Sequence, residues 1–231
     1  MELNELSKLI KSRRSIRNWQ DKDVPEALLT QAIELATWAP SGGNQQNWRF
    51  YIIKNRAAMK AIADAVQASS DLINGWPEAK QISASGGGVP LVITANREAT
   101  RDAQRGAGFF RTAPAAIAVA AAHYQSQVDL ILEAREKVDP QAAEIRRWRN
   151  IADSRIQSVA SAIAHLLLIF HQMGLGAVWM TGPMQAKREI EKALKVPPEM
   201  DVVAFIPVGY PAETPVSRGR KPVEEVSEII R

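Results

Sequence analysis

Arg13-Arg14-Ser15-Ile16-Arg17 packs three guanidiniums and a hydroxyl into five positions, immediately after a short apolar-striped segment. Further along stands Ala39-Pro40-Ser41-Gly42-Gly43-Asn44-Gln45-Gln46-Asn47-Trp48, and near the end of the chain Arg218-Gly219-Arg220-Lys221-Pro222. A packed domain has little structural use for an Arg-Arg-Ser-x-Arg run. A phosphate dianion has a good one, because planar forks and a hydroxyl fit around its oxygens. The plain alternative is a solvated basic turn at the negative pole of a helix, and a solvated tail for the second knot. Two such knots at opposite ends of the chain, each beside a turn, favour convergence on one anion.

Working outward, Leu3, Leu6, Leu9 and Ile10 stand at helical spacing and predict a short helix over residues 3–12 that delivers the arginines. Asp23, with Pro25 and Glu26 behind it, reads as the N-cap of a helix over residues 25–38, which stops before Pro40. Residues 40–47 then form a loop with two glycines and several amides, longer than a simple connector needs and open to close approach by a flat ligand. Residues 48–53 read as a strand, and Asn55 as the cap of a helix that buries Ala58, Met59, Ile62, Ala63 and Val66.

The middle of the chain is harder to read. Residues 69–108 are rich in Ser, Gly and Asn, with a strand expected at 91–95 after a flexible Gly86-Gly87-Gly88 turn. Residues 115–122 form an alanine-rich run compatible with strand or helix. Nine of the eighteen residues from Glu133 to Asn150 are ionisable, which predicts an exposed helical excursion broken near Asp139-Pro140. A long apolar-faced helix follows over 153–173 and ends at Gly174. A strand at 176–180, a helix at 183–194 and an apolar strand at 202–208 complete the pattern. Helices and strands intermingle with no repeat and no clear linker, so one α+β domain over 1–231 is expected.

The 231 residues suffice for a sizeable core, and 46% hydrophobic with 23% charged residues is an ordinary globular composition. Without cysteine there is no disulfide, thiolate nucleophile or iron–sulfur cluster, and a reducing compartment fits. His165 and His171 are six apart, on different helix faces, so a zinc helix is not indicated. The mixed, acidic start Met1-Glu2-Leu3-Asn4-Glu5-Leu6 does not read as a signal peptide, and residues 113–122 and 159–170 are too short to span a membrane. A soluble, cytoplasmic protein is expected. A net charge of +4 gathered at particular places suits local anion binding better than nucleic acid. Gly174-Leu175-Gly176 precedes its strand, so it is no dinucleotide fingerprint, and no Gly-x-Ser-x-Gly elbow exists. The six tryptophans read as core or interface by default.

With these residues in hand, the chain resembles the nitroreductase family of flavin-dependent oxidoreductases. The resemblance rests on residues 13–17 and 39–50, on Met173-Gly174-Leu175-Gly176-Ala177-Val178-Trp179, on the turn Val208-Gly209-Tyr210-Pro211, and on residues 218–222. It covers roughly residues 3–68 and 110–222. It implies a three-layer α-β-α fold around a mixed, mainly antiparallel sheet, in an intertwined homodimer with FMN at the subunit interface. A variable region lies at about 69–150 and a C-terminal arm at about 211–231. By the same resemblance Arg13, Arg14, Ser15 and Arg17 hold the FMN phosphate and ribityl chain, joined by Arg218 and Arg220. Pro40, Ser41, Gly42 and Asn44 come from the other subunit and line the ring. Thr181 and Gly182 sit near the ring nitrogens, where a backbone N–H can bond N5.

Three departures stand out. Gln46-Asn47 replaces the family's usual Gln-Pro, Thr181-Gly182 replaces Glu-Gly, and residues 69–108 match nothing in it. The asparagine that often reads the flavin edge is among the unmatched features, and Asn74 is a poor candidate for it. The implied activity is ping-pong hydride transfer from NADH or NADPH through FMN to a small electron acceptor such as a nitroaromatic or quinone. The alternatives are reductive dehalogenation, flavin-consuming chemistry, a flavin-binding protein without efficient turnover, or a basic nucleic-acid binder.

Overall fold

The computed structural model describes residues 2–85, 106–217 and 219–231. Four strands form its sheet: β1 (Trp48–Ile53), β2 (Ala115–Ala122), β3 (Gly176–Ala177) and β4 (Met200–Gly209), in the order β1-β2-β4-β3. The expectation is a mixed, mainly antiparallel sheet; every pairing among the described residues is antiparallel. Trp48 lies opposite Ala121 and Ala122 opposite Met200, which fixes one end of the sheet; Ile53, Ala115, Val208 and Gly176 mark the other.

The alanine-rich run is a strand because both of its faces are covered. Ala116, Ala118 and Ala120 pack with Phe205, Phe110 and the face Met59, Ile62, Ala63, Val66 of α3 (Arg56–Gly75). Ala115, Ile117, Val119 and Ala121 face the other way. They meet Leu29, Ala32 and Ala36 of α2 (Glu26–Ala36), and Val159, Ile163, Leu166 and Phe170 of a helix over Ser154–Gln172. A strand buried on both sides shows no polar alternation, and its small side chains let two helical layers approach. The expected three-layer order is present.

Caps behave largely as read. The Asn55 side chain accepts from the Ala58 N–H at 3.0 Å at the start of α3. Asp23 does not cap α2: Pro25 holds that position, and Asp23 instead pairs with Lys54 at 3.0 Å. The helix stops at Ala36, two residues short of the expected end, in a turn that leaves Trp38 82% exposed. Residues 69–75 continue α3, and α4 (Pro77–Ser85) follows; the strand expected at 91–95 and the Gly86-Gly87-Gly88 turn lie outside the described residues.

The charged excursion is a helical hairpin, α5 (Gln127–Arg135) and α6 (Pro140–Ala152), broken at Asp139, whose carboxylate accepts from the Gln141 N–H. Arg146 and Arg149 on α6 pair with Glu136 and Asp129 across it, and only Leu132 and Ala142 are buried. The long apolar helix, α7 (Ser154–Gln172), ends at Gly174, whose φ of 76° is the left-handed value glycine adopts freely. The expected strand at 176–180 shrinks to β3 plus a single bridge from Met180 to Phe205. The helix expected at 183–194 opens as a 3-10 turn, Gly182–Ala186, before α8 (Lys187–Leu194). Trp19 is buried and Trp48 half-buried, whereas Trp38, Trp76, Trp148 and Trp179 are exposed within one chain. No described helix is long and apolar enough to cross a membrane.

Candidate functional site

The helix α1 (Leu3–Ser12) stops at Arg13, whose backbone turns to an extended conformation. The segment behind it is clamped between two strands of chain. Ile16 N–H donates to the Ala177 carbonyl at 3.1 Å and Trp19 Nε1–H to the Gly176 carbonyl at 2.8 Å. On the other side Gln20 N–H donates to Tyr210, and Ala212 N–H to Asn18. The Glu213 carboxylate accepts from the backbone N–H groups of Arg17 and Asn18. Gly176 makes this approach possible, because a Cβ there would fall 2.6 Å from Ile16 Cγ1. Ile16 and Trp19 are therefore locked inward, and Arg13, Arg14, Ser15 and Arg17 are held half-buried along the β3 edge.

The charge of Arg220, from the second basic knot, acts on Arg13 of the first. The Arg13 guanidinium is held below its usual range by burial, then by the charges of Arg14 and Arg220. Arg14 donates to the carbonyls of Lys11 and Arg13, at 2.6 and 2.7 Å, and Arg220 to that of Gly219. Among the described residues no carboxylate pairs with Arg13, Arg14 or Arg220. Partly buried like charges without a counter-ion are costly, and a bound anion would supply what is missing. Arg218 lies outside the described residues.

Thr181 and Gly182 lie along the same sheet edge, four and five residues past Ala177, and are exposed. Neither of their backbone N–H groups donates to an acceptor among the described residues, and a Cβ on Gly182 would meet nothing within 4 Å. This is an open ledge with free donors.

The glycine- and amide-rich loop is elsewhere. Gly42 N–H donates to Ser158 Oγ at 3.1 Å, and the buried Asn47 donates from Nδ2 to the Arg155 carbonyl at 3.1 Å, both in the first turns of α7. Asn47, which stands where the family usually has proline, is thus the loop's anchor. Ser41 Oγ accepts from the Gln46 N–H, and the backbone takes left-handed values at Gly43, Asn44 and Gln46. At two non-glycine residues that conformation costs on the order of 1 kcal/mol or more each. Arg155 continues to Asp201, 2.8 Å away, which also binds Lys187 and His123. Burial opposes the Asp201 charge, but the hydrogen bonds from Lys187, Arg155 and His123 hold its carboxyl well below the usual range.

One chain does not bring Pro40, Ser41, Gly42 and Asn44 to the arginines. The loop touches α7 at Ser158, whereas Ser12 Oγ meets His171 Nε2, 2.8 Å away, at the other end of that helix. Thirteen residues of helix separate the two, about 20 Å. The sheet agrees, since the loop enters at the Trp48 end and the arginines sit at the Gly176 end. Asn74 lies in the last turn of α3, 3.5 Å from Ser70 Oγ, and joins neither group.

His171 went unread in the sequence, where it was weighed only as half of a metal pair. Its signal was its place in the last turn before Gly174-Leu175-Gly176, the segment that clamps Ile16. Burial, then Arg13 and Arg14, push its imidazole below the usual range.

Comparison with known proteins gives the family and the fold. Residues 10–210 match the model of the nitroreductase family. A putative NADH dehydrogenase/NAD(P)H nitroreductase from Methanothermobacter thermautotrophicus is 28% identical over 90% of this chain and 78% of its own. An iodotyrosine deiodinase from Thermotoga neapolitana is 27% identical over 88% of this chain and 87% of its own. The crystal structure of a BluB-like flavoprotein from Clostridium difficile 630 superposes with a TM-score of 0.78 at 28% identity over the full length of both chains. With its three-layer fold and a family match over most of its length, the chain belongs to the nitroreductase family of oxidoreductases.

Proposed function

We propose that this protein is an FMN-dependent NAD(P)H oxidoreductase whose site is completed by a second copy of the chain. The observation that carries the reading is the half-buried pair Arg13 and Arg14, with the exposed Arg220 acting on Arg13 and no counter-charge among the described residues, which fits a phosphate dianion. Ser15, Arg17 and Arg218 complete the phosphate and ribityl wall. The free N–H groups at Thr181 and Gly182 face the ring nitrogens. Pro40, Ser41, Gly42 and Asn44, about 20 Å from the arginines within one chain, line the ring from the partner copy. Bare apolar side chains, Leu3 and Ile10 on α1 and Val223, Val226, Ile229 and Ile230 on the tail, support such a partner, since an interface would cover them. FMN, when bound, supplies hydride transfer from NAD(P)H through N5 to a small electron acceptor such as a nitroaromatic or quinone. The protein orients the ring and leaves a ledge that reductant and acceptor occupy in turn. Reductive dehalogenation is the second reading, favoured by the 27% identity to an iodotyrosine deiodinase over most of both chains.

The purified protein should be yellow and release FMN on denaturation, and NAD(P)H oxidation should depend on an added acceptor. A panel of nitroaromatics, quinones and halogenated tyrosines separates the two readings. A colourless protein that does not take up FMN refutes both. Shared sites predict complementation: mixing an Arg13→Ala/Arg14→Ala variant with a Ser41→Asp/Asn44→Asp variant restores about a quarter of the flavin load. No recovery on subunit exchange rules out the shared site.

A further inference from the structure

We propose that His171, steadied by Ser12, belongs to the phosphate end of the site and takes up a proton when a phosphate dianion occupies the arginine cluster. The inference rests on the FMN reading above and assigns a role to residues that reading leaves out.

The geometry starts at the joint between α1 and α7. Ser12 is the last residue of α1 and precedes Arg13; its Oγ lies 2.8 Å from His171 Nε2 and 3.2 Å from the Leu9 carbonyl. With the hydroxyl donating to Leu9, its oxygen accepts from Nε2–H, and Nδ1 is the atom that takes up the proton. The Ser12 bond serves both charge states, so protonation does not break the joint.

Opposing influences meet at the ring. His171 sits in the last turn of α7, where the helix end favours a cation. Burial and the guanidiniums of Arg13 and Arg14 disfavour it. Nothing acidic among the described residues settles the contest. The strands β2 and β3 carry no ionisable residue, and neither Glu26 nor Glu34 of α2 pairs with the ring. Glu213 is engaged by backbone N–H groups, and the remaining charges of α1 near this end, Lys8 and Lys11, are exposed cations. A dianion on Arg13 and Arg14 cancels the field that suppresses the imidazolium and leaves the helix end in control.

The coupling is reciprocal. The free protein holds His171 neutral to a lower pH than ordinary, and phosphate moves its titration upward. Between those two limits binding takes up a proton, so affinity falls as pH rises through the window. FMN's own phosphate works in the opposite sense, because its second ionisation near pH 6 favours the dianion at higher pH. The informative quantity is therefore a ratio between wild type and variant, in which the ligand's titration cancels.

Two measurements on the full flavin-free chain test this. The first follows the His171 imidazole by NMR, assigned by its loss in His171→Gln, with and without saturating inorganic phosphate. The titration should move up by about one unit with phosphate, and Arg13→Ala should move it up without phosphate. The second compares FMN dissociation constants of wild type and His171→Gln between about pH 5.5 and 8. The wild-type advantage should be at least about fivefold at the acid end and vanish at the alkaline end. Ser12→Ala, which leaves both charges in place, should retain that pH dependence. A His171 titration unmoved by phosphate, or an affinity ratio constant with pH, overturns the proposal. Failure of FMN to bind at any pH refutes the flavin reading instead, and the phosphate titration then decides the His171 inference alone.

Discussion

Gly176→Ala is a one-carbon test of how the arginine cluster is held. An added methyl would lie 2.6 Å from Ile16 Cγ1, 2.8 Å from its Cβ and 2.9 Å from its Cγ2. Carbon contacts settle at about 3.5–4.0 Å, so Ile16 would have to retreat by roughly 1 Å. It has nowhere to go, being 7% exposed within the core and tied through its N–H to the Ala177 carbonyl. Overpacking of this kind costs about 1–3 kcal/mol, and each kcal/mol lowers the melting temperature of a chain this size by about 2–4 °C. Any retreat also drags Arg13 and Arg14, so FMN affinity should drop further than stability alone explains. Thermal unfolding of the flavin-free protein and fluorescence titration with FMN give the two readouts. Gly182→Ala is the control for stability, since its methyl meets nothing within 4 Å. In Gly176→Ala/Ile16→Ala two of the three offending carbons, Cγ1 and Cγ2, are gone and only Cβ remains, so the two losses should be less than additive. A Gly176→Ala protein that melts with the wild type, or strict additivity in the double variant, refutes the clamp.

Three other perturbations have definite signs. Arg13→Ala/Arg220→Ala removes two charge-assisted contacts of about 1.5–3 kcal/mol each; FMN affinity should fall by about a hundredfold or more while riboflavin, which lacks the phosphate, binds unchanged. Equal losses for both ligands would refute the phosphate assignment. Asn55→Ala should cost about 1 kcal/mol by unpairing the Ala58 N–H, and a melting temperature equal to wild type would show that α3 does not depend on its cap. The Asp201 carboxyl is depressed when folded. Its stabilisation is therefore complete above the unfolded value of about 3.9 and is lost as pH falls below it. Asp201→Asn should cost roughly 1 kcal/mol near neutrality, given its partial exposure, and flatten the acid limb of the stability curve. Superimposed acid-unfolding curves would remove Asp201 from the network.

What could be read from the chain was local chemistry. Asn55, Asp139-Pro140 and Gly174 each mark a helix boundary through hydrogen bonds or dihedral angles set within a few residues, and each does what its neighbours imply. The misreadings required knowledge of distant partners. Asp23 has the spacing of a cap, but Lys54, thirty-one residues away, takes its carboxylate. Residues 115–122 carry no period at all, because helices α3 and α7 bury opposite faces of the strand, and nothing inside eight alanine-rich residues reports that. The arginine run is legible in the sequence as an anion-site candidate. Their clamp was not, since it depends on Ile16 meeting Gly176 across 160 residues.

The same distances decide how the site can be built. Loop 40–44 and the arginine segment are both fastened to α7, one at Ser158 and the other through Ser12 at His171, so neither can travel to the other without unfastening that helix from the sheet. The contacts that hold the loop away are specific: Asn47 to Arg155, Arg155 to Asp201, and a left-handed backbone at Asn44 and Gln46. A loop that merely joined α2 to β1 would have no reason to carry that strain. Anchoring it rigidly makes sense if its outward face serves something other than its own chain. The arginine edge makes the complementary demand, with a cation cluster, free N–H donors and an open ledge but no ring-lining face of its own. In the proposed dimer, two copies related by a two-fold axis would satisfy both demands at once and form two identical sites.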